Sequence, residues 1–207
     1  MDLAEFKKEK IMGRDRLFQK IMATFKALDS VAIHQFGSGR YGYQDEFSDF
    51  DLWITFPDDR IKQMVKNSEE IFSSVAPIFV KSSAPQNSPI GGSYTLVLYN
   101  TDHGLYHVDY YFAPKSGSNV RSDAKYLYGD DSLPRGEWIL DRDNSEKWTY
   151  EHVFDQMLAM SYILNKAIVR GGWNVDMAKY LRDLYKDYQE ITNKTLPSLP
   201  NSDDFEF

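Results

Sequence analysis

The sequence predicts an α+β fold, with a mixed sheet flanked by helices and followed by a small C-terminal helical lobe. Three patterns carry that expectation. Leu3 to Leu28 places Phe6, Ile11, Leu17, Phe18, Ile21, Met22 and Phe25 at helical spacing among lysines and arginines. Between Val31 and Phe112, short apolar and aromatic runs alternate with Gly, Pro, Asn and Asp, as strands and their turns do. From Glu151 to Arg170 and from Val175 to Ile191 the helical spacing returns, with Gly171-Gly172 as the break.

Taken in order, Asp29-Ser30 ends the first helix and Val31–Phe36 reads as a short buried strand. A polar, glycine-rich loop runs from Gly37 to Ser48, and Leu52–Phe56 is the next strand. Pro57 closes it, and Asp58 or Asp59 is expected to cap a helix running to about Val75. Ile78–Lys81 is extended, and Ser82 to Gly92 is loop. Tyr94–Tyr99 and Tyr106–Phe112 read as strands joined by a hairpin. From Ala113 to Lys147 the pattern dissolves into Pro, Gly, Ser and Asp. The expected organisation is a catalytic domain over 1–115, a connector over 116–148, a helical lobe over 149–194 and a frayed tail over 195–207.

Composition narrows the function classes. The 24 Lys and Arg stand against 31 Asp and Glu, a net charge of -7, which argues against a grip on long nucleic acid through a general basic field. It leaves room for a local basic cluster that holds a phosphorylated ligand. The absence of cysteine excludes thiol catalysis, disulfides and thiolate zinc sites. The first ten residues carry both charge signs and no apolar run, so no secretory signal is expected. The most apolar stretch, Met157 to Val169, is broken by Asn165 and Lys166, so no membrane partner is expected and a soluble cytoplasmic protein is the default.

The chemistry concentrates between Gly37 and Asp51. Strand residues alternate faces, so Asp49 and Asp51 point to one side at the start of a strand. Two adjacent carboxylates repel unless a cation lies between them, and hard oxygen ligands select Mg²⁺ or Mn²⁺. Upstream, Gly37 permits close backbone approach, Ser38 offers a hydroxyl and an N–H, and Arg40 adds a positive fork suited to phosphate. A phosphate cradle beside paired carboxylates fits phosphoryl or nucleotidyl transfer, which is mostly positioning and charge neutralisation. Asp109 lies in an aromatic strand where an unpaired carboxylate is costly. It is explained if that strand lies beside Leu52–Phe56 and brings Asp109 to the same cluster, with His107 on its face.

Gly37-Ser38, ten residues, Asp49-Phe50-Asp51 and a later strand carboxylate resemble the nucleotidyltransferase superfamily of DNA polymerase beta. The likeness is nearest to the antibiotic nucleotidyltransferases that adenylylate aminoglycosides or lincosamides. Ser48-Asp49-Phe50-Asp51-Leu52 matches the core of that motif. Asn165 to Ala178 resembles the Lys-x-x-x-Arg-Gly helix of the C-terminal lobe in these enzymes. The resemblance spans residues 18 to 192. It implies a nucleotidyltransferase mixed sheet, ATP as nucleotide donor and two Mg²⁺ ions. It also implies Gly37 and Ser38 at the triphosphate, Asp49 and Asp51 on the metals, and Asp109 in the third acidic role. By position alone it adds Lys166 and Arg170 as nucleotide-phosphate ligands.

The expected activity is therefore transfer of a nucleoside monophosphate, AMP from ATP, to a hydroxyl of a small molecule, with pyrophosphate released. A protein-modifying, antitoxin-type nucleotidyltransferase is the alternative, and an inactive nucleotide-binding module is a third reading. The helices from Glu151 to Ile191 favour the small-molecule enzyme, because antitoxin-type proteins resemble a bare catalytic lobe. A second copy could close the cleft, although no seam is legible. Other residues read more plainly. His103 and His107 are expected at the surface or in the hairpin, and Trp53, Tyr106, Tyr110, Tyr111 and Phe112 mostly in the core. Asp130, Asp131, Asp141 and Asp143 read as exposed loop. Glu46 is either an acceptor-side acid or a loop charge, and stands behind Asp109 as general base.

Overall fold

A computed structural model describes residues 2–37, 45–141, 149–172 and 175–193. The chain divides into two compact units, Met1–Glu146 and Lys147–Phe207. Among the described residues, no helix is long and apolar enough to cross a membrane.

The first unit begins with helix α1 (Leu3–Ala27), whose Asp2 side chain accepts the Glu5 N–H at 2.8 Å and satisfies a free donor of the first turn. Leu17, Ile21, Met22 and Phe25 recur at three- and four-residue intervals and are buried, as the periodicity predicts. Strands β1 (Ala32–Phe36), β2 (Phe50–Phe56), β3 (Ile78–Ser83), β4 (Ser93–Thr101) and β5 (Gly104–Pro114) follow in chain order. Helices α2 (Ile61–Lys66) and α3 (Ser68–Val75) lie between β2 and β3. Short strands β6 (Val120–Arg121), β7 (Lys125–Gly129) and β8 (Arg135–Gly136) complete the unit. The main sheet is six-stranded, in the order β3-β4-β5-β2-β1-β7. Only β2 and β5 run parallel in it; their neighbours pair antiparallel. The sheet is mixed and helix-flanked, as expected.

Side-chain alternation gives this sheet two chemically different faces. One carries Phe50, Leu52, Ile54 and Phe56 of β2 with Val108, Tyr110 and Phe112 of β5, and packs against α1, α2 and α3. Phe25 lies 5.5 Å from the Tyr110 ring and 5.6 Å from the Phe112 ring and is fully buried, which contributes about 1.5–3 kcal/mol. The opposite face carries Ala32, Phe36, Trp53, Tyr111 and Ala113, covered by Val120, Ala124 and Leu133. There Trp53 donates its indole N–H to Ser118 at 2.8 Å, and Ser118 also bonds Thr55 at 2.9 Å. Asp51 and Asp109 share the phase of this second face.

Three local expectations need correction. The helix expected up to Val75 is two helices. Asn67 ends α2, its N–H bonding the Gln63 carbonyl, and its own carbonyl accepts from Ile71 in α3. No side chain caps α2; Asp58 instead accepts the Ser116 N–H at 2.9 Å, tying β2's end to β5's end. The stretch read as a connector contributes β7 to the main sheet beside β1. β7 is an edge strand with Lys125 and Tyr126 exposed, so it lacks the continuous apolar signal of a central strand.

The second unit contains α4 (Tyr150–Val169) and α5 (Val175–Thr192), which pack on one another with Phe154 and Tyr188 rings 5.8 Å apart. Thr149 caps α4 through a reciprocal arrangement with His152. At the other end Gly171 has φ +77°, its N–H bonds Ile168, and the Gly172 N–H bonds Ala167. That is a left-handed glycine terminus, at the break expected from Gly171-Gly172. The tail from residue 194 lies outside the described residues.

Candidate active site on the carboxylate face of the sheet

β2 and β5 are adjacent and parallel, with Asp51 directly opposite Asp109. In a parallel pair, residues in register project to the same side, so the two carboxylates share a face. Asp49 precedes β2 by one residue and keeps the same phase, and His107 precedes Asp109 by two. The four acidic and imidazole groups thus share one face of two adjacent strands, Asp49 and Asp51 on the β2 side and His107 and Asp109 on β5, where the sequence places Asp49, Asp51 and Asp109.

His107 is buried, contrary to the surface or hairpin position expected for it, and it links the two acids. Its Nε2 lies 3.0 Å from Asp109 Oδ1, and its Nδ1 lies 3.3 Å from Asp49 Oδ2. The Nδ1 contact is an ion pair without the alignment of a full hydrogen bond, so the Asp109 contact is the tighter one. Burial alone favours a neutral ring. The charges and hydrogen bonds of Asp109 and then Asp49 outweigh it, and the pKa is pushed up to about 9. At neutral pH the ring is an imidazolium that offsets part of the repulsion between the acids. His103, by contrast, lies in the β4–β5 turn, with Nε2 3.2 Å from Arg16.

Tyr94 in β4 reaches the same carboxylate, donating its hydroxyl to Asp109 Oδ1 at 2.7 Å. Burial, followed by the charge of Asp109, holds the Tyr94 hydroxyl well above its ordinary pKa, so it stays a donor. Asp109 Oδ1 therefore receives two donors, while Oδ2 accepts no hydrogen bond from the described residues.

On the β1 side, Phe36 lies opposite Asp51, and Gly37 follows with φ +68°. A Cβ at Gly37 would fall 2.0 Å from Asp51 Oδ2, so only glycine leaves that oxygen its place. The turn before Asp49 is fixed from within: Ser48 Oγ accepts the Asp45 N–H at 2.9 Å and donates to Asp45 Oδ1 at 3.0 Å. The serine of the Ser48-Asp49-Phe50-Asp51 motif thus shapes the turn that delivers Asp49 to the sheet. α1 holds this turn from outside. Buried Arg14 donates to the Asp45 carbonyl at 2.8 Å, and Lys7 pairs with Glu46 at 2.9 Å. The Lys7 hydrogen bond holds the Glu46 carboxyl below its usual range, which makes Glu46 a weaker base.

The remaining candidates fall elsewhere. Ser38 and Arg40 lie outside the described residues. Lys166 is in the last turn of α4 and buried, and Arg170 is that helix's exposed C-cap, so both belong to the second unit. Trp53, Tyr106, Tyr110, Tyr111 and Phe112 are buried, as expected of core aromatics. Asp131 bonds Arg135, and Asp130 bonds Ser132; Asp143 lies outside the described residues.

Among the described residues no cluster of three or more acidic or imidazole groups is already drawn together around a metal position. The donor set nevertheless suits a hard divalent cation. It consists of carboxylate oxygens: Asp109 Oδ2 accepts no hydrogen bond from the described residues, and Asp51 Oδ2 lies against the Gly37 turn, where a Cβ would fall 2.0 Å from it. The sequence puts His107 on Asp109's face but not buried between the acids, and it does not point to Tyr94 at all. His107 shares Asp109's face by simple alternation, a signal available in Tyr106-His107-Val108-Asp109. Tyr94 required the β4–β5 register, which sequence spacing does not give.

The fold and this face together define an α+β protein whose central parallel strand pair carries opposed carboxylates. No protein-family model and no curated protein matches the chain.

Proposed function

We propose that the protein is a Mg²⁺-dependent nucleotidyltransferase that moves AMP from ATP to a hydroxyl of a small molecule of the aminoglycoside or lincosamide kind. The observation that carries this reading is the register of Asp51 opposite Asp109 on adjacent parallel strands, with Asp49 in the same phase. The Gly37 turn against Asp51, and the sequence resemblance in Gly37-Ser38 and Ser48–Leu52, support it. Two Mg²⁺ ions held by Asp49, Asp51 and Asp109 would supply charge neutralisation at the triphosphate and a lower pKa for the acceptor hydroxyl.

The chain's own residues do the rest. Gly37 lets the backbone turn beside Asp51, and Ser38 and Arg40, next in sequence, supply donors for phosphate oxygens. Asp109 takes the acceptor's proton at Oδ2, the oxygen that Tyr94 and His107 leave clear. The acceptor oxygen forms its bond to the α-phosphorus as the bond to pyrophosphate breaks, so the product carries one AMP. A net charge of -7 favours a cationic acceptor such as an aminoglycoside, and a cytoplasmic setting supplies the ATP.

The test is incubation with MgATP and a panel of aminoglycosides and lincosamides, read by mass. A gain of one AMP on one class of compound supports the proposal. ATP binding with no adduct on any compound contradicts the acceptor assignment.

A further inference from the structure

We infer that Tyr94 and His107 are positioning residues that fix Asp109 by its Oδ1 and thereby present Oδ2 to a divalent cation and the acceptor hydroxyl. This inference rests on the nucleotidyltransferase reading of the same face. Three observations lead to it. Tyr94 and His107 come from different places in the sheet, β4 and β5, yet both reach the same oxygen, at 2.7 and 3.0 Å. Both approach from partly or fully buried positions, so neither contact is a chance meeting of surface side chains. The other ring nitrogen of His107 faces Asp49 at 3.3 Å, so one buried imidazole bridges the two acids.

The physical consequence is directional. A carboxylate with one oxygen held by two donors loses rotation about its last torsion, and its second oxygen is aimed. Groups that orient a metal-ligating side chain in this way commonly change metal affinity or activity by about 10–100-fold when removed. Tyr94 is the cleaner of the two to test, because Tyr94→Phe deletes one oxygen and keeps the ring that packs 4.8 Å from Tyr111. Tyr99→Phe is its control: that hydroxyl is also buried, but it pairs with Tyr110 at 3.0 Å on the opposite face of the sheet.

The experiment measures Mn²⁺ affinity of the full-length protein by electron paramagnetic resonance, with a non-hydrolysable ATP analogue, alongside thermal melting. Tyr94→Phe is expected to bind Mn²⁺ about 10-fold more weakly or worse. Tyr99→Phe should match wild type in Mn²⁺ affinity whatever its melting temperature. A second variant, His107→Gln, keeps one donor within reach of Asp109 and should retain more affinity than His107→Leu. Wild-type Mn²⁺ affinity in Tyr94→Phe would overturn the positioning role and leave the proposed activity untouched. Absence of any Mn²⁺–nucleotide affinity in wild type would overturn both.

Discussion

Replacing Gly37 by alanine separates two costs that the structure assigns to this position. The first is conformational. At φ +68° an L-residue sits in the left-handed region, which costs about 1–2 kcal/mol. The second is steric and local, because the new Cβ would fall 2.0 Å from Asp51 Oδ2, far inside van der Waals contact. Gly91 is the control within the same unit. It has φ +72°, but its Cβ would meet only Pro114 Cγ at 3.4 Å, an ordinary contact. Gly91→Ala should therefore lose about 1–2 kcal/mol and keep its activity. For a unit of this size that is a melting shift of roughly 2–4 °C per kcal/mol. Gly37→Ala should lose at least as much and also push the Asp51 carboxylate aside. Displacing a catalytic group by about 1 Å can cost about 10²-fold in rate, so AMP transfer should fall by that order. The assay pairs thermal melting with mass detection of the AMP adduct. If Gly37→Ala melts and turns over like Gly91→Ala, Asp51 is not held against that turn, and the steric argument fails.

Other substitutions test other parts of the account. Asp109→Asn should lower turnover by about 10²-fold, the scale of a lost general base, while nucleotide binding largely persists. Asp49→Asn and Asp51→Asn should impair metal-dependent nucleotide binding as well, and calorimetric titration with an ATP analogue distinguishes the two outcomes. Ser118→Ala should cost about 1–3 kcal/mol in chemical denaturation, because it strands the buried indole N–H of Trp53. His34 gives a pH prediction with a definite sign. Burial and the charge of Arg135 lower its pKa, against the opposing pull of Asp131, and Tyr126 packs edge-on to the ring. The unfolded chain therefore binds the proton more readily than the folded one. The corresponding stability is complete above the unfolded pKa, about 6.5, and declines as the pH falls below it. His34→Phe should flatten that decline in melting curves taken between neutral and mildly acidic pH; an unchanged slope would remove His34 as its source.

Much of the site is legible in the sequence because alternation and register are simple. Asp49 and Asp51 stand two apart at a strand start, and an acid inside the aromatic run Tyr106–Phe112 needs a reason to be there. Their juxtaposition follows once β5 is placed beside β2. What escapes is whatever depends on partners distant in sequence. Tyr94 meets Asp109 only because β4 turns back on β5 through the two-residue turn Asp102-His103. For His107 the sequence gives the face, but a histidine near a hairpin reads as solvated. Here the alternation carries it to the buried line between two acids. β7 hid in a polar stretch because an exposed edge strand needs little apolar surface, and the break at Asn67 is a cap that spacing alone does not mark.

The central claim is that the Asp49–Asp51–Asp109 face holds the metal and the nucleotide. A crystal structure of the protein grown with Mn²⁺ and a non-hydrolysable ATP analogue tests it most directly, with anomalous scattering to locate the metal. The account predicts manganese within coordination distance of Asp51 and Asp109 oxygens, with the triphosphate at the Gly37 turn. Manganese and nucleotide bound together elsewhere, with these three carboxylates untouched, would contradict it.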